Sequence, residues 1–284
     1  MLEQYTIHNE FLQVAIKRKG AELCSVKDDS GTEFIWQAGT VWPRHAPNLF
    51  PIIGSLLNHE YTWEGKTYPL SHHGFARNLD FDMLHQSEHS ICFVLQDSEA
   101  TNASYPFKFT FLVTYTLEKN ALKQTYRVLN TGEEQMPVSF GGHPAFNASP
   151  ISEYEIVFNK VETAKSQLLQ GPYISSEEMD VINGDRIQLT ETIFDGDALI
   201  FENLNSDTIT LKHKRSNYKV SMDIAEFPYL GIWAKPAAPY VCLEPWQGMA
   251  DSIEHNKKFE DKKGIVRLEA KDEIARSFTM TFES

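Results

Sequence analysis

Four short stretches of this 284-residue chain place ionisable side chains beside glycine, proline or aromatic residues. They are Trp42-Pro43-Arg44-His45-Ala46-Pro47-Asn48-Leu49-Phe50-Pro51, Ser71-His72-His73-Gly74-Phe75-Ala76-Arg77, Gly141-Gly142-His143-Pro144-Ala145-Phe146-Asn147 and Leu243-Glu244-Pro245-Trp246-Gln247-Gly248. Such composition belongs to loops and strand ends, where catalytic groups sit over a rigid scaffold. Glu244 is the most unusual of these groups. It follows the apolar run Tyr240-Val241-Cys242-Leu243 and precedes Pro245-Trp246, so its carboxylate falls at the end of a buried strand. Burial disfavours the charged form of a carboxylate, which therefore needs a partner or a chemical task. The partner reading is a buried ion pair with Arg44 or Arg77, and the chemical reading is general acid–base work. A metal site built from His45, His73, His143 and Glu244 is disfavoured, because these histidines lack a close His-x-His pairing.

The elements that must position these groups read as strands. Phe107, Phe109, Phe111, Val113, Tyr115 and Leu117 share one face, with Lys108, Thr110, Thr114 and Thr116 opposite. Glu118-Lys119-Asn120 makes a polar turn, and the alternation resumes from Leu122 to Leu129, which predicts an antiparallel hairpin. The same pattern recurs at Ile91 to Leu95, Tyr154 to Phe158, Thr208 to Lys212, Tyr218 to Asp223 and Ile274 to Phe282. Only Ser175 to Val181 and Met249 to His255 are candidates for a short helical turn, and neither supplies the crossover helix that a parallel sheet requires. Many strands at short spacing predict an all-β stack of antiparallel sheets. With no linker and no repeat, residues 1–284 read as one domain. The charged stretch from Asn256 to Gly264 reads as a solvated loop, since its acids offset its lysines.

Composition narrows the partners. A formal charge of -13 makes the protein's field repulsive to nucleic acid and to anionic membrane surfaces. Hydrophobic residues make up 42% of the chain, with 18 Phe and 11 Tyr, which favours a β-rich core. Cys24, Cys92 and Cys242 are odd in number and lack a Cys-x-x-Cys spacing, so they read as reduced, buried thiols. The opening Met1-Leu2-Glu3-Gln4-Tyr5 lacks the basic-then-apolar pattern of a secretory leader, and the expected location is the cytoplasm.

Taken together, the four stretches resemble the aldose 1-epimerase (galactose mutarotase-like) family. The likeness is closest to its branch with HGFAR, GGHPAF and EPW segments, which includes hexose-6-phosphate epimerase-like and lactose-operon-associated proteins. It spans about Arg44 to Asp251, in the family's order. The resemblance implies a β supersandwich with a sugar cleft, no metal or other cofactor, and interconversion of the α and β anomers of an aldose or aldose 6-phosphate. It makes His143 the general acid and Glu244 the general base, with His73 holding the sugar ring. In the phosphate-handling branch, arginines at positions comparable to Arg44 and Arg77 serve the cleft. Trp42-Pro43-Arg44-His45 replaces the Asn-Arg pattern of the galactose-specific enzymes, which leaves the sugar open.

The chemistry suits these groups independently. Opening a cyclic hemiacetal removes the proton of the anomeric hydroxyl while protonating the ring oxygen, so an acid and a base must flank one pyranose. Rotation about C1–C2 and reclosure complete the exchange without a cofactor. Among Trp36, Trp233, Trp246 and Phe75, Trp233 is the expected apolar wall, because Gly231-Ile232-Trp233 leads into the turn before the Glu244 strand. The expected partner is a small sugar or sugar phosphate, bound by a monomer or homodimer. The rival reading is a non-catalytic sugar-binding protein on the same fold.

Overall fold

The computed structural model describes residues 3–284; Met1 and Leu2 lie outside the described residues. Two large antiparallel sheets dominate. One has nine strands, running in order from Arg186–Gln188 through Tyr154–Phe158, Thr208–His213, Lys219–Asp223, Glu273–Glu283, Ala121–Asn130, Phe109–Glu118 and Ser90–Gln96 to Asp82–Gln86. The other has eight, with Tyr240–Trp246 near its middle, flanked by Tyr229–Trp233 on one side and by the short strands Gly141–Gly142 and Ala145–Asn147 on the other. Three smaller sheets complete the fold, among them the N-terminal Gln4–His8, Leu12–Lys17 and Leu23–Asp28. The expected all-β stack of antiparallel sheets is what the chain adopts.

Alternation explains the nine-stranded sheet. Phe109, Phe111, Val113, Tyr115 and Leu117 are buried, while Thr110, Leu112, Thr114 and Thr116 are half-exposed. The strand pairs with Ala121–Asn130 across the predicted turn, in which Lys119 takes a left-handed φ of 54°. A polar knot fixes this sheet against the other. Asn48, fully buried, accepts from Gln124 Nε2 at 2.6 Å and Tyr126 Oη at 2.8 Å, and its amide donates to the carbonyls of Gly20 and Ala21. Buried polar groups satisfied in this way lock one arrangement of the layers.

Neither candidate for a helical turn is helical. Ser175 to Val181 belongs largely to the strand Tyr173–Met179, paired with Ser166–Gln170, because Gly171-Pro172 folds the chain back on itself. Met249 to His255 is an irregular turn tied by the Asp251 N–H to the Ser55 carbonyl at 2.9 Å. The one α-helix among the described residues is the single turn Glu99–Asn102, closed by a capping box between Ser98 and Thr101. Two further expectations are corrected. Cys92 is half-buried, unlike Cys24 and Cys242. In the charged loop Asn256 to Gly264, Lys262 is only 2% exposed, drawn inside by Asp251. No helix among the described residues is long and apolar enough to cross a membrane.

Candidate active site

Strand register assembles the site. Gly141 pairs opposite Trp246 and Ala145 opposite Cys242, so His143 falls between them, facing Glu244. Glycine is required at 141: a Cβ there would lie 2.6 Å from the Pro245 carbonyl oxygen. The close approach brings His143 Nε2 to 3.3 Å from Glu244 Oε2. Both side chains are almost wholly enclosed, at 9% and 2% exposure. Neither His143 Nδ1 nor Glu244 Oε2 has a hydrogen-bond partner, and the indole N–H of Trp246 beside them is likewise unpartnered. Buried polar atoms are normally satisfied, so three orphans around one cavity mark a place where a polar ligand belongs.

That cavity has a volume of about 300 Å³. Its lining includes His143, Glu244, His73, Arg77, Trp42, Trp233, Trp246 and Asp197. His73 stands on a sharp turn with φ of 61°, followed by Gly74 at φ 69°, where any Cβ would lie 2.2 Å from the Phe50 carbonyl oxygen. The Gly54 N–H donates to His73 Nδ1 at 3.0 Å, which leaves Nε2 as the protonated, donating nitrogen. Trp42 stacks on the His143 ring with centroids 5.0 Å apart, and Trp233 meets the same ring edge-on at 5.7 Å.

Electrostatics separates the acid from the imidazole. Burial pushes the Glu244 carboxyl well above the usual range, with Asp197 adding to the rise and Trp246 and Arg77 opposing it. Burial also pushes His143 down to about 3, helped by the positive charge of Arg77. Both shifts run toward the neutral forms, a carboxyl on Glu244 and an unprotonated imidazole on His143. His73 is held well below its ordinary value, chiefly by burial, and stays neutral.

Not every candidate from the sequence reaches the cavity. Arg77 lines it, donating Nη2 to the His72 carbonyl at 2.7 Å while its buried Nε has no partner. Arg44 does not line it; its guanidinium is turned to Asn78 Oδ1 at 2.9 Å and the Arg77 carbonyl at 3.5 Å. Neither arginine forms an ion pair with Glu244, so the partner reading of that carboxylate fails. His45 lies away from the cavity, against Lys17 Nζ at 3.2 Å, so the four-residue metal set is not assembled. Trp36 sits behind the wall, its indole N–H bonded to the Trp42 carbonyl, and Phe75 packs on Phe50. Trp246, a wall candidate passed over in favour of Trp233, also lines the cavity, and Trp42 and Asp197 join it without having been singled out for that role. Trp42 was within reach of the sequence, since it opens the stretch that carries Arg44; Asp197 had only the turn signal Asp195-Gly196-Asp197.

A family model described as aldose 1-epimerase matches residues 3–262. The chain belongs to the aldose 1-epimerase family. Among curated relatives of this epimerase-family chain is Protein LacX of Lactococcus lactis subsp. lactis, 30% identical over 292 aligned positions that cover 97% of this chain and 98% of that protein. Among solved structures, a galactose mutarotase related enzyme from Lactobacillus acidophilus superposes with a TM-score of 0.94 at 37% identity, covering 99% of this chain and 97% of that one. A galactose mutarotase-like protein from Lactobacillus casei gives 0.93 at 31% identity, covering 99% and 100%. The supersandwich implied by the sequence is therefore the fold of these aldose epimerase relatives.

Proposed function

We propose that the chain, acting as one catalytic unit in the cytoplasm, interconverts the α and β anomers of a free aldose, with Glu244 as base and His143 as acid. The observation that carries the reading is the 3.3 Å approach of His143 Nε2 and Glu244 Oε2, two buried side chains lining one cavity, with orphaned polar atoms on both. In the ring-opening direction Glu244 takes the proton of the anomeric hydroxyl while His143 delivers one to the ring oxygen. The reactive state is reached when the proton of Glu244 shifts to His143 across their 3.3 Å contact, and ring opening then returns the pair to a carboxyl and a neutral imidazole, the forms that burial favours. Reclosure on the other face of C1 runs the transfers backwards. His73, donating through Nε2, holds a ring hydroxyl, and Trp233 and Trp42 present apolar faces to the sugar's C–H groups. A cavity of about 300 Å³ suits one monosaccharide.

The charge of the lining supports a neutral aldose over a 6-phosphate. Only Arg77 brings a guanidinium to the cavity, while Asp197 and Glu244 bring carboxyl groups. With Arg44 engaged by Asn78, the paired guanidinium grip that would favour phosphate is not formed. Polarimetry on freshly dissolved α-glucose, α-galactose and their 6-phosphates tests the proposal. Faster decay of optical rotation is expected for free sugars. Tight sugar binding, read from tryptophan fluorescence, without any acceleration would replace catalysis by the sugar-binding reading. Preferential turnover of phosphates that fades with salt would restore the phosphate reading.

A further inference from the structure

Cys242 has no part in the proton transfers above, yet its thiol stands beside the pair. A ring nitrogen of His143, the Cys242 Sγ and a Glu244 carboxylate oxygen all lie within 4.8 Å of one another, and all three residues are buried. Register explains the cluster: Cys242 and Glu244 are two apart on one strand and share a face, and His143 stands opposite. One imidazole, one thiolate and one carboxylate form a donor set that zinc accepts, whereas the sulfur and nitrogen ligands select against hard cations such as Mg²⁺. In a tetrahedral site with Zn–N and Zn–O of ~2.0–2.1 Å, nitrogen and oxygen ligands stand ~3.3–3.4 Å apart. His143 Nε2 and Glu244 Oε2 are already 3.3 Å apart. Glu244 Oε2 has no hydrogen-bond partner, so a cation binding there displaces none.

We propose that Zn²⁺ binds His143, Cys242 and Glu244, with its fourth position open to the cavity, and thereby switches the site off. The inference rests on the acid–base reading of the same pair. On binding, the Cys242 thiol and the Glu244 carboxyl each release a proton to solvent, His143 gives a lone pair, and no electron is transferred. The two anions balance the ion's charge, so no net charge is left in the buried site. A metal-held Glu244 accepts no proton and a metal-held His143 Nε2 has none to give. Because protons leave, inhibition strengthens as pH rises.

Co²⁺ is the probe, since it takes zinc's geometry and reports a thiolate ligand by a charge-transfer band. The full-length protein should bind one equivalent with that band and with strong tetrahedral d–d absorption, and zinc should displace it. Cys242→Ser and Cys242→Ala, run in parallel with thermal melts so that one unfolded variant decides nothing, should lose the band, while Cys24→Ser and Cys92→Ser keep it. In polarimetry, zinc should slow the wild type, Mg²⁺ should not, and the Cys242 variants should retain their metal-free rate but require roughly 10- to 100-fold more zinc for inhibition. A wild-type protein without the thiolate band, or zinc sensitivity unchanged in the Cys242 variants, overturns the site. Should the wild type turn over no aldose, the acid–base reading falls, and the cobalt spectra still decide the metal site.

Discussion

Two buried carboxylic acids, seven residues apart, are treated in opposite ways. Neither Glu244 nor Asp251 is more than 2% exposed. Asp251 is held by two donors, Lys262 Nζ at 3.0 Å on Oδ1 and the Leu57 N–H at 2.9 Å on Oδ2, and the His255 imidazole stands 3.3 Å from Oδ2. Burial alone would raise its pKa, but His255, Lys262 and the Leu57 N–H outweigh it and hold the group below the ordinary aspartate value. Glu244 has an indole and an imidazole nearby, an orphaned oxygen, and a pKa driven upward. The Asp251 cluster ties the 249–255 turn to the charged loop and, through the Asp251 N–H bond to Ser55, to the segment beside His72. The difference shows how one fold sorts its acids. Donors that satisfy a carboxylate make it structural, and donors withheld leave it free to exchange a proton.

The largest expected effect separates the two acids by rate. Glu244→Gln keeps shape but cannot accept a proton, so anomerisation should fall by roughly 100- to 10,000-fold. His143→Asn should cost roughly 100-fold or more on the same grounds. Asp251→Asn, measured per folded molecule, should retain most of the rate. Initial polarimetric rates on the three purified variants check this ordering, and near wild-type turnover by Glu244→Gln would remove that residue from the base role.

Stability should sort them the other way. Asp251→Asn leaves the Lys262 ammonium buried without its counter-charge, a loss of about 3–5 kcal/mol. Pairing it with Lys262→Met should recover much of that loss, because an apolar chain fills the space without stranding a charge. Glu244→Gln should be neutral or stabilising. Urea unfolding at neutral pH reads all three. An Asp251→Asn variant as stable as wild type would mean that the cluster is ornament.

Much of this layout was readable before folding, and the unreadable part has a physical reason. The hairpin Phe109–Glu118 with Ala121–Asn130 follows from side-chain period alone. Glu244 stood out because a carboxylate closes an apolar run, His143 because it sits between Gly142 and Pro144 in a turn-like stretch, and the family likeness added its role as acid. That the two meet depends on the pairing of Gly141 with Trp246 and Ala145 with Cys242, a long-range register that no local pattern contains. Ser175 to Val181 carries the serines and glutamates of a capped helix, yet pairing across Gly171-Pro172 overrode that propensity. Lys262 looked solvated because its partner Asp251 lies eleven residues back, outside the charged stretch. Arg44 and Arg77 occupy equivalent-looking loops, and only the orientation of each guanidinium tells them apart.

The subtlest test of the contrast is the sign of a pH slope. Glu244 has a folded pKa raised above its unfolded value near 4.5, so its favourable contribution is complete below that value and is lost as pH rises toward the folded one. Glu244→Gln suffers no such loss. The stability of this variant relative to wild type should therefore start near zero in acid and climb with pH, by at most about 1.4 kcal/mol per unit. Asp251 has a folded pKa depressed below its model value of 3.8, so its contribution is present above that value and is lost as pH falls through the folded one. The penalty of Asp251→Asn should accordingly be full near neutrality and shrink on acidification. Urea midpoints from about pH 2 to 8 would then give two difference curves, the Glu244→Gln one rising once pH exceeds 4.5 and the Asp251→Asn one shrinking only below 3.8. If the Glu244→Gln curve instead fell with pH, the carboxylate would be stabilised in its charged form, like Asp251. The distinction between a satisfied acid and a withheld one would then be lost.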